Sequence, residues 1–298
     1  MINTSETRYR SQLLIALGTA NFGRNYGINN KAGILTDSQV EEILQFSATL
    51  GISQIDTASG YGRAEELVGN FWPRGSSVNV MTKLSTADCI NSETIFDTVK
   101  QSLTLSKQES LWAVLLHDSS VLVNGNPKNL IQDLQQLIDS GMTKHIGISA
   151  YTEGEIIRAK KIMPEMDVFQ ISNNICDQRL HSSSTLQEMF NNGNFFFVRS
   201  IFLQGLLLMD PNILPSKMCA AKLTLEQLRE FCISNRISLV DACMGYAKSI
   251  PWASGIVVGA ESKNQIQEIY DSIHSTFNID FSKVPRLSDW FLDPRNWS

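Results

Sequence analysis

The sequence predicts a single α/β domain over residues 1–298, folded as a closed (β/α)8 barrel. Three observations predict it. Short β-branched runs alternate with longer helical patterns along nearly the whole chain, and there are eight such pairs. The strand runs are almost continuously apolar, as strands are when both of their faces are covered by other elements. An open, doubly wound sheet is the competing architecture, but it carries a glycine-rich phosphate turn after its first strand. The corresponding stretch here, "ALGTANFGRNYG", lacks the G-x-G-x-x-G spacing.

The elements follow in order. "LLIALG" (13–18) reads as the first strand and "DSQVEEILQFSATLG" (37–51) as its helix. "ISQIDTA" precedes "RAEELVGNFW", "SVNVMTKLS" precedes "NSETIFDTVKQSLTLSK", and "LWAVLLHD" precedes "NPKNLIQDLQQLIDSG". "KHIGISA" precedes "TEGEIIRAKKIM", and "MDVFQIS" precedes "LHSSSTLQEMFNNG". "FFFVRSIF" precedes "KLTLEQLREFCISN", and "SGIVVGA" precedes "SKNQIQEIYDSIHS". Within the helical pieces apolar residues recur at three and four positions, as at Val40, Ile43, Leu44 and Phe46 or Leu130, Leu134, Leu137 and Ile138. Two segments stand outside this alternation. "FLQGLLLMDPNILPSKMCAAK" (202–222) is long, apolar and punctuated by proline, which suits a loop covering a ligand. The C-terminal "VPRLSDWFLDPRNWS" (284–298), with two tryptophans, is expected to pack over a barrel mouth.

Composition narrows the function. A formal charge of −5 gives no general electrostatic reason to bind nucleic acid or an anionic membrane. The five cysteines are scattered without a CxxC pair, which suits reduced thiols in a cytoplasmic protein. The N-terminal "MINTSETRYRSQ" lacks the apolar core of a signal peptide, and no run approaches the roughly 18 apolar residues of a membrane span. The expected partner is a small molecule.

Barrel strands converge their C-terminal ends on one rim, where reactive residues gather from different strands. Asp56 ends the second strand with Tyr61 just beyond it, Lys83 ends the third, and His117 ends the fourth. Taken singly, each has a plainer reading: a helix cap for Asp56, rim packing for Tyr61, a solvent-facing lysine, a surface-turn histidine. Their coincidence at strand ends favours chemistry. A phenol has an ordinary pKa of about 10 and is a poor acid at neutral pH. A lysine cation held by the aspartate would lower it, and a neutral histidine would orient a carbonyl. Such a set delivers a proton to an oxygen while a nicotinamide supplies hydride.

The motifs "DTASGYGRAEELVG", "MTKLS", "LLHD", "IGISAY", "FQISNN" and "IVVGAES" resemble those of the aldo-keto reductases, from about residue 13 to about residue 270. The resemblance implies an NAD(P)H-dependent reductase of aldehydes or ketones, with Asp56, Tyr61, Lys83 and His117 as catalytic residues and Tyr61 as general acid. It also implies that Ser149 and Gln170 contact the nicotinamide carboxamide, with Asn174 near the ring or serving as a strand-end cap. Ala150 stands where the family usually has Asn, and Arg199 where many members stack an aromatic ring on nicotinamide. "GAESKNQIQEI", containing Gly259, Ala260, Glu261, Lys263, Gln265 and Glu268, resembles the segment that holds the adenosine phosphates. The family implies NADP(H), whereas Glu261 and Gln265, with Lys263 the one basic residue, suit the free ribose hydroxyl of NAD(H).

Phe22 and Tyr26 in the loop after the first strand are candidates for a substrate pocket or for core packing. That loop and "VRSIFLQGLLL" are similar to a subgroup associated with surface-sugar or polysaccharide biosynthesis, which points to a sugar-derived carbonyl. A cofactor-binding redox sensor with little turnover is the alternative from another class. A metal-dependent hydrolase needs clustered histidine and carboxylate ligands, and only His117 and His145 come near that requirement.

Overall fold

The computed structural model describes residues 13–30, 33–124 and 127–297; the polar N-terminal stretch, and with it the expectation of no signal peptide, lies outside the described residues. Eight parallel strands close into a barrel in sequential order. They are β1 (Leu14–Gly18), β2 (Gln54–Asp56), β3 (Asn79–Leu84), β4 (Leu111–Leu116), β5 (Thr143–Ala150), β6 (Val168–Ser172), β7 (Phe195–Arg199) and β8 (Gly255–Val258). The barrel is sealed by β1 pairing with β8, Leu14 opposite Gly255.

The outer ring consists of α1 (Asp37–Thr49), α2 (Ala64–Phe71), α3 (Ser92–Ser106), α4 (Pro127–Asp139), α5 (Glu153–Ile162), α6 (Ser184–Asn191), α7 (Lys222–Asn235), α8 (Leu239–Lys248) and α9 (Lys263–His274). Their starts are fixed chemically. Thr36, Thr152 and Ser238 each form a reciprocal capping box with the side chain three residues on, and Asn91, Ser183 and Ser262 cap α3, α6 and α9. Helix α8 was not among the expected elements, although Ser238 and Asp241 carry its start signal.

Alternation along the strands divides the apolar residues. One set, including Ile55, Val114, Ile148 and Ile256, packs outward under the helices. The other, Ala16, Met81, Trp112, Ala113, Leu115, Val168, Phe195 and Phe197, forms a separate cluster that fills the barrel interior. Close packing is tightest at Gly147 on β5, where a Cβ would lie 1.6 Å from the Val168 carbonyl oxygen. Only glycine lets β5 and β6 keep their register there, Gly147 opposite Val168. The plugged interior leaves polar strand ends to face one open rim.

After β7 the chain forms two short 3-10 segments, Leu203–Leu208 and Ser216–Ala221. Leu203, Leu206 and Leu207 are buried, so the expected covering loop is anchored by its leucines. The C-terminal segment lies against the barrel: the Leu287 amide donates to the Cys176 carbonyl at 3.2 Å, and Phe291, Leu292 and Trp297 are buried. No helix among the described residues is long and apolar enough to cross a membrane.

Candidate active site

Glycines flank Tyr61 on both sides, and geometry requires one of them. Gly62 has a left-handed φ of +60°, and a Cβ there would lie 2.5 Å from the Gly23 carbonyl oxygen. Gly23 is equally constrained, since its Cβ would meet the Tyr61 carbonyl oxygen at 1.9 Å. The loops after β1 and β2 therefore touch backbone to backbone beside Tyr61. Further hydrogen bonds tie the rim: Thr19 N–H to the Asp56 carbonyl at 3.0 Å, Ser59 N–H to the Lys83 carbonyl at 3.1 Å, and His117 N–H to the Leu84 carbonyl at 2.9 Å.

These constraints bring Asp56, Tyr61, Lys83 and His117 together around one cleft of about 430 Å3. Lys83 is 2% exposed and Asp56 4%, and the ammonium donates to Asp56 Oδ1 at 2.5 Å and to the Thr57 carbonyl at 3.1 Å. An ammonium has three donors, so one stays uncommitted among the described residues. Lys83 Nζ lies 5.4 Å from the centre of the Tyr61 ring, and the His117 ring meets Tyr61 edge-on with centroids 5.9 Å apart. No hydrogen bond engages the Tyr61 hydroxyl among the described residues.

Electrostatics correct one expectation. Burial, and then the Asp56 carboxylate, push the Tyr61 phenol above its ordinary range; Arg199 and Arg24 oppose this. Lys83, paired with Asp56 at 2.5 Å, is not among the leading influences on the phenol. The phenol thus stays protonated at neutral pH, the form that a proton donor requires. Burial pulls the Lys83 ammonium down, with Asp56 opposing. His117 is exposed to the cleft by surface area, yet the protein atoms around its ring desolvate it, and this, helped by Lys83 and Arg199, pushes its pKa down to about 4. The imidazole is therefore neutral at physiological pH.

That depression sets a pH dependence. Between pH 6.5 and about 4 the unfolded chain binds a proton at His117 that the folded chain does not. The contribution to stability is complete above the unfolded value and is lost as pH falls through the folded one. Urea unfolding midpoints should drop over this window, and His117→Gln should flatten that part of the profile. Equal slopes for the two proteins would remove the assignment.

The remaining expected residues separate into two groups. Ser149, Gln170, Arg199, Gly259, Ala260, Glu261, Gln265, Glu268 and Tyr26 line the cleft. Tyr26 is 41% exposed where it lines the cleft. Gln170 is fully buried; its amide nitrogen donates to Asp56 Oδ1, and its Oε1 is left without a partner. The other three candidates stand away from the cleft lining. Phe22 is 1% exposed and belongs to the hydrophobic core. Asn174 is buried in a turn, its Oδ1 accepting from Cys176 N–H at 3.0 Å, which is the local structural reading. Lys263 pairs with Glu42 at 2.7 Å across α9 and α1.

Arg199 is held by neutral groups, donating from Nε to Ser149 Oγ at 3.1 Å, from Nη1 to Ser200 Oγ at 3.2 Å and from Nη2 to the Ala150 carbonyl at 3.1 Å. Its flat face covers Tyr151 at 4.2 Å, and Arg295 from the C-terminal segment covers the same ring at 3.9 Å. Tyr151 and Arg24 are among the cleft residues that sequence reasoning missed. Arg24 stands in the quoted loop after β1 and Tyr151 in the quoted "IGISAY", but their partners come from other loops. Among the described residues no group of three or more His, Cys, Asp or Glu side chains converges to hold a metal ion.

A (β/α)8 barrel with an acid–lysine pair, a phenol and an imidazole at the C-terminal rim has the architecture of a barrel enzyme with its site at the strand ends. Residues 14–286 match the model of the Aldo/keto reductase family, so the chain belongs to that family and is an oxidoreductase. Solved structures agree in fold. The aldo-keto reductase AKR11C1 from Bacillus halodurans, in its holo form, superposes with a TM-score of 0.72 at 18% identity, covering 94% of this chain and 95% of that one. The aldo-keto reductase PA4992 of Pseudomonas aeruginosa gives 0.64 at 20% identity over 87% and 88%. The thermostable aldo-keto reductase Tm1743, bound to the inhibitor epalrestat, gives 0.66 at 17% over 95% and 94%. No curated protein sequence matches the chain. These matches support the family and give no support to the surface-sugar subgroup expected from the loop sequences.

Proposed function

We propose that the protein reduces an aldehyde or ketone to an alcohol with a nicotinamide cofactor bound along the cleft, and that Tyr61 is the general acid. The observation that carries this is the buried Lys83–Asp56 pair beside a protonated phenol and a neutral imidazole in one cleft. When bound, the nicotinamide supplies the hydride. Tyr61 gives its proton to the oxygen that becomes the hydroxyl. The uncommitted Lys83 donor then steadies the phenolate left behind, and Asp56 keeps the lysine charged and fixed. His117, neutral, donates to the carbonyl oxygen without competing as a second acid.

The chain offers a place for the carboxamide end of that cofactor. Gln170 Oε1 is a buried acceptor at the cleft with no partner, which an amide N–H2 would satisfy. Ser149 stands beside it across the β5–β6 register. At the adenosine end, Gly259, Ala260, Glu261, Gln265 and Glu268 would line the nucleotide. Two of these are acidic, and the one nearby lysine, Lys263, is spent on Glu42. A ribose 2′-phosphate would meet carboxylates there, while a free hydroxyl would find an acceptor. The cofactor is therefore read as NAD(H).

Fluorescence titration should give NADH a dissociation constant about tenfold or more below that of NADPH, one misplaced charge contact being worth that much. Tighter binding of NADPH would reverse the reading. The activity itself is tested by following NADH absorbance across a panel of aldehydes, ketones and keto-sugars. Cofactor binding with no turnover of any of them would leave a redox sensor in its place.

A further inference from the structure

Two guanidinium groups line the cleft next to the reacting phenol, and neither has a carboxylate partner among the described residues. Arg24 donates from Nη1 to the Gly60 carbonyl at 3.0 Å and lies 5.3 Å from the centre of the Tyr61 ring. The rest of its donor fork is uncommitted. Arg199 comes from the end of β7, two strands round the barrel from β1, and its three hydrogen bonds all go to neutral oxygens. Of the five donors in a guanidinium, Arg199 keeps two free.

No acid near the cleft forms an ion pair with either arginine among the described residues. Asp56 is committed to Lys83 and Gln170, Asp293 is bound to Arg295 at 2.6 Å, and Glu261 and Glu268 belong to the turn and helix that follow β8. The field of both arginines is felt at Tyr61 and His117, where each disfavours added positive charge or favours the phenolate. A neutral substrate filling the cleft would strip water from two cations and give nothing back. An oxyanion would offset that cost and would accept from planar donor forks suited to carboxylate and phosphate.

We propose that the physiological substrate is an anionic carbonyl compound, carrying a carboxylate or phosphate a few atoms from the carbonyl, with the oxyanion held by Arg24 and Arg199 while the carbonyl meets Tyr61. This rests on the reductase reading of the same cleft and names its substrate class.

The test uses the full-length enzyme with saturating NADH and pairs of substrates matched except in charge. Succinic semialdehyde is compared with its methyl ester, and glyceraldehyde 3-phosphate with glyceraldehyde; the two arms separate a carboxylate site from a phosphate site. In at least one arm the anionic member should have a kcat/KM about 10–100-fold above its neutral partner, the range of a charge-assisted hydrogen bond. Arg24→Gln should bring that ratio close to one, chiefly through KM, and Arg24→Lys should keep part of it. Arg24 is exposed on a loop, so these variants are expected to fold, which a thermal melt confirms. Equal kcat/KM for charged and neutral members in both arms would overturn the proposal while leaving the reductase reading intact. So would an Arg24→Gln variant that binds NADH more weakly with the ratio unchanged, since that would assign the arginine to the cofactor. Absence of turnover with every aldehyde despite bound NADH would remove the reductase reading and this proposal with it.

Discussion

Tyr61→Phe should lower the turnover of carbonyl substrates by about 10²–10⁴-fold, the usual contribution of a positioned general acid, while NADH affinity stays close to that of the native protein. The separation of the two effects follows from the geometry. The hydroxyl makes no hydrogen bond to the described residues, so its loss breaks nothing that shapes the cleft. The ring, which meets His117 edge-on with centroids 5.9 Å apart and lies 5.3 Å from the Arg24 guanidinium, is retained. What disappears is the proton that must reach the nascent alkoxide. Steady-state kinetics together with a fluorescence titration of cofactor measure both quantities on one preparation. A variant that reduced substrate at the native rate would take the donor role away from Tyr61.

The second large effect is on stability. Asp56→Ala should destabilise the fold by about 3–5 kcal/mol, because it leaves the Lys83 ammonium buried without its counter-charge. That is a large fraction of the roughly 5–15 kcal/mol that holds a typical domain together. Lys83 cannot escape to solvent from a position 2% exposed at the end of β3, with the Thr57 carbonyl as its other observed partner. The double variant Asp56→Ala/Lys83→Met should recover much of the loss, since it removes both charges. Denaturant midpoints for the two single variants and the double variant close the cycle. A mild effect for Asp56→Ala alone would mean that Lys83 is neutral in the resting protein.

Why some of this site was legible and some was not follows from where each partner lies. The eight-fold alternation survives in the sequence because each strand is a local apolar run and each helix a local periodicity. Asp56, Lys83 and His117 were placed at the rim by the same local rule, being polar residues at the ends of apolar runs. Phe22 was undecidable, since an apolar ring suits a pocket wall and a core equally; its position depends on packing against distant elements. Lys263 looked like a ligand for phosphate until Glu42, more than two hundred positions earlier, claimed it at 2.7 Å. Asn174 is engaged by an amide two residues on, a turn whose geometry is invisible in composition. Arg24 and Tyr151 matter through loops that converge only on the finished barrel. The phenol's electrostatics were misjudged for a related reason. The aspartate's hold on the lysine was legible in the sequence, but not that burial and the Asp56 charge outweigh the nearby cations at the phenol.

The stack of Arg199, Tyr151 and Arg295 ties the C-terminal segment to two residues of the cleft lining. Arg295 caps the ring from the outside, Lys217 holds the Trp297 carbonyl at 3.2 Å, and that tryptophan is itself buried. An affinity handle or fusion partner appended at this end would pull on the outer plate of that stack, and proteolytic trimming would remove it.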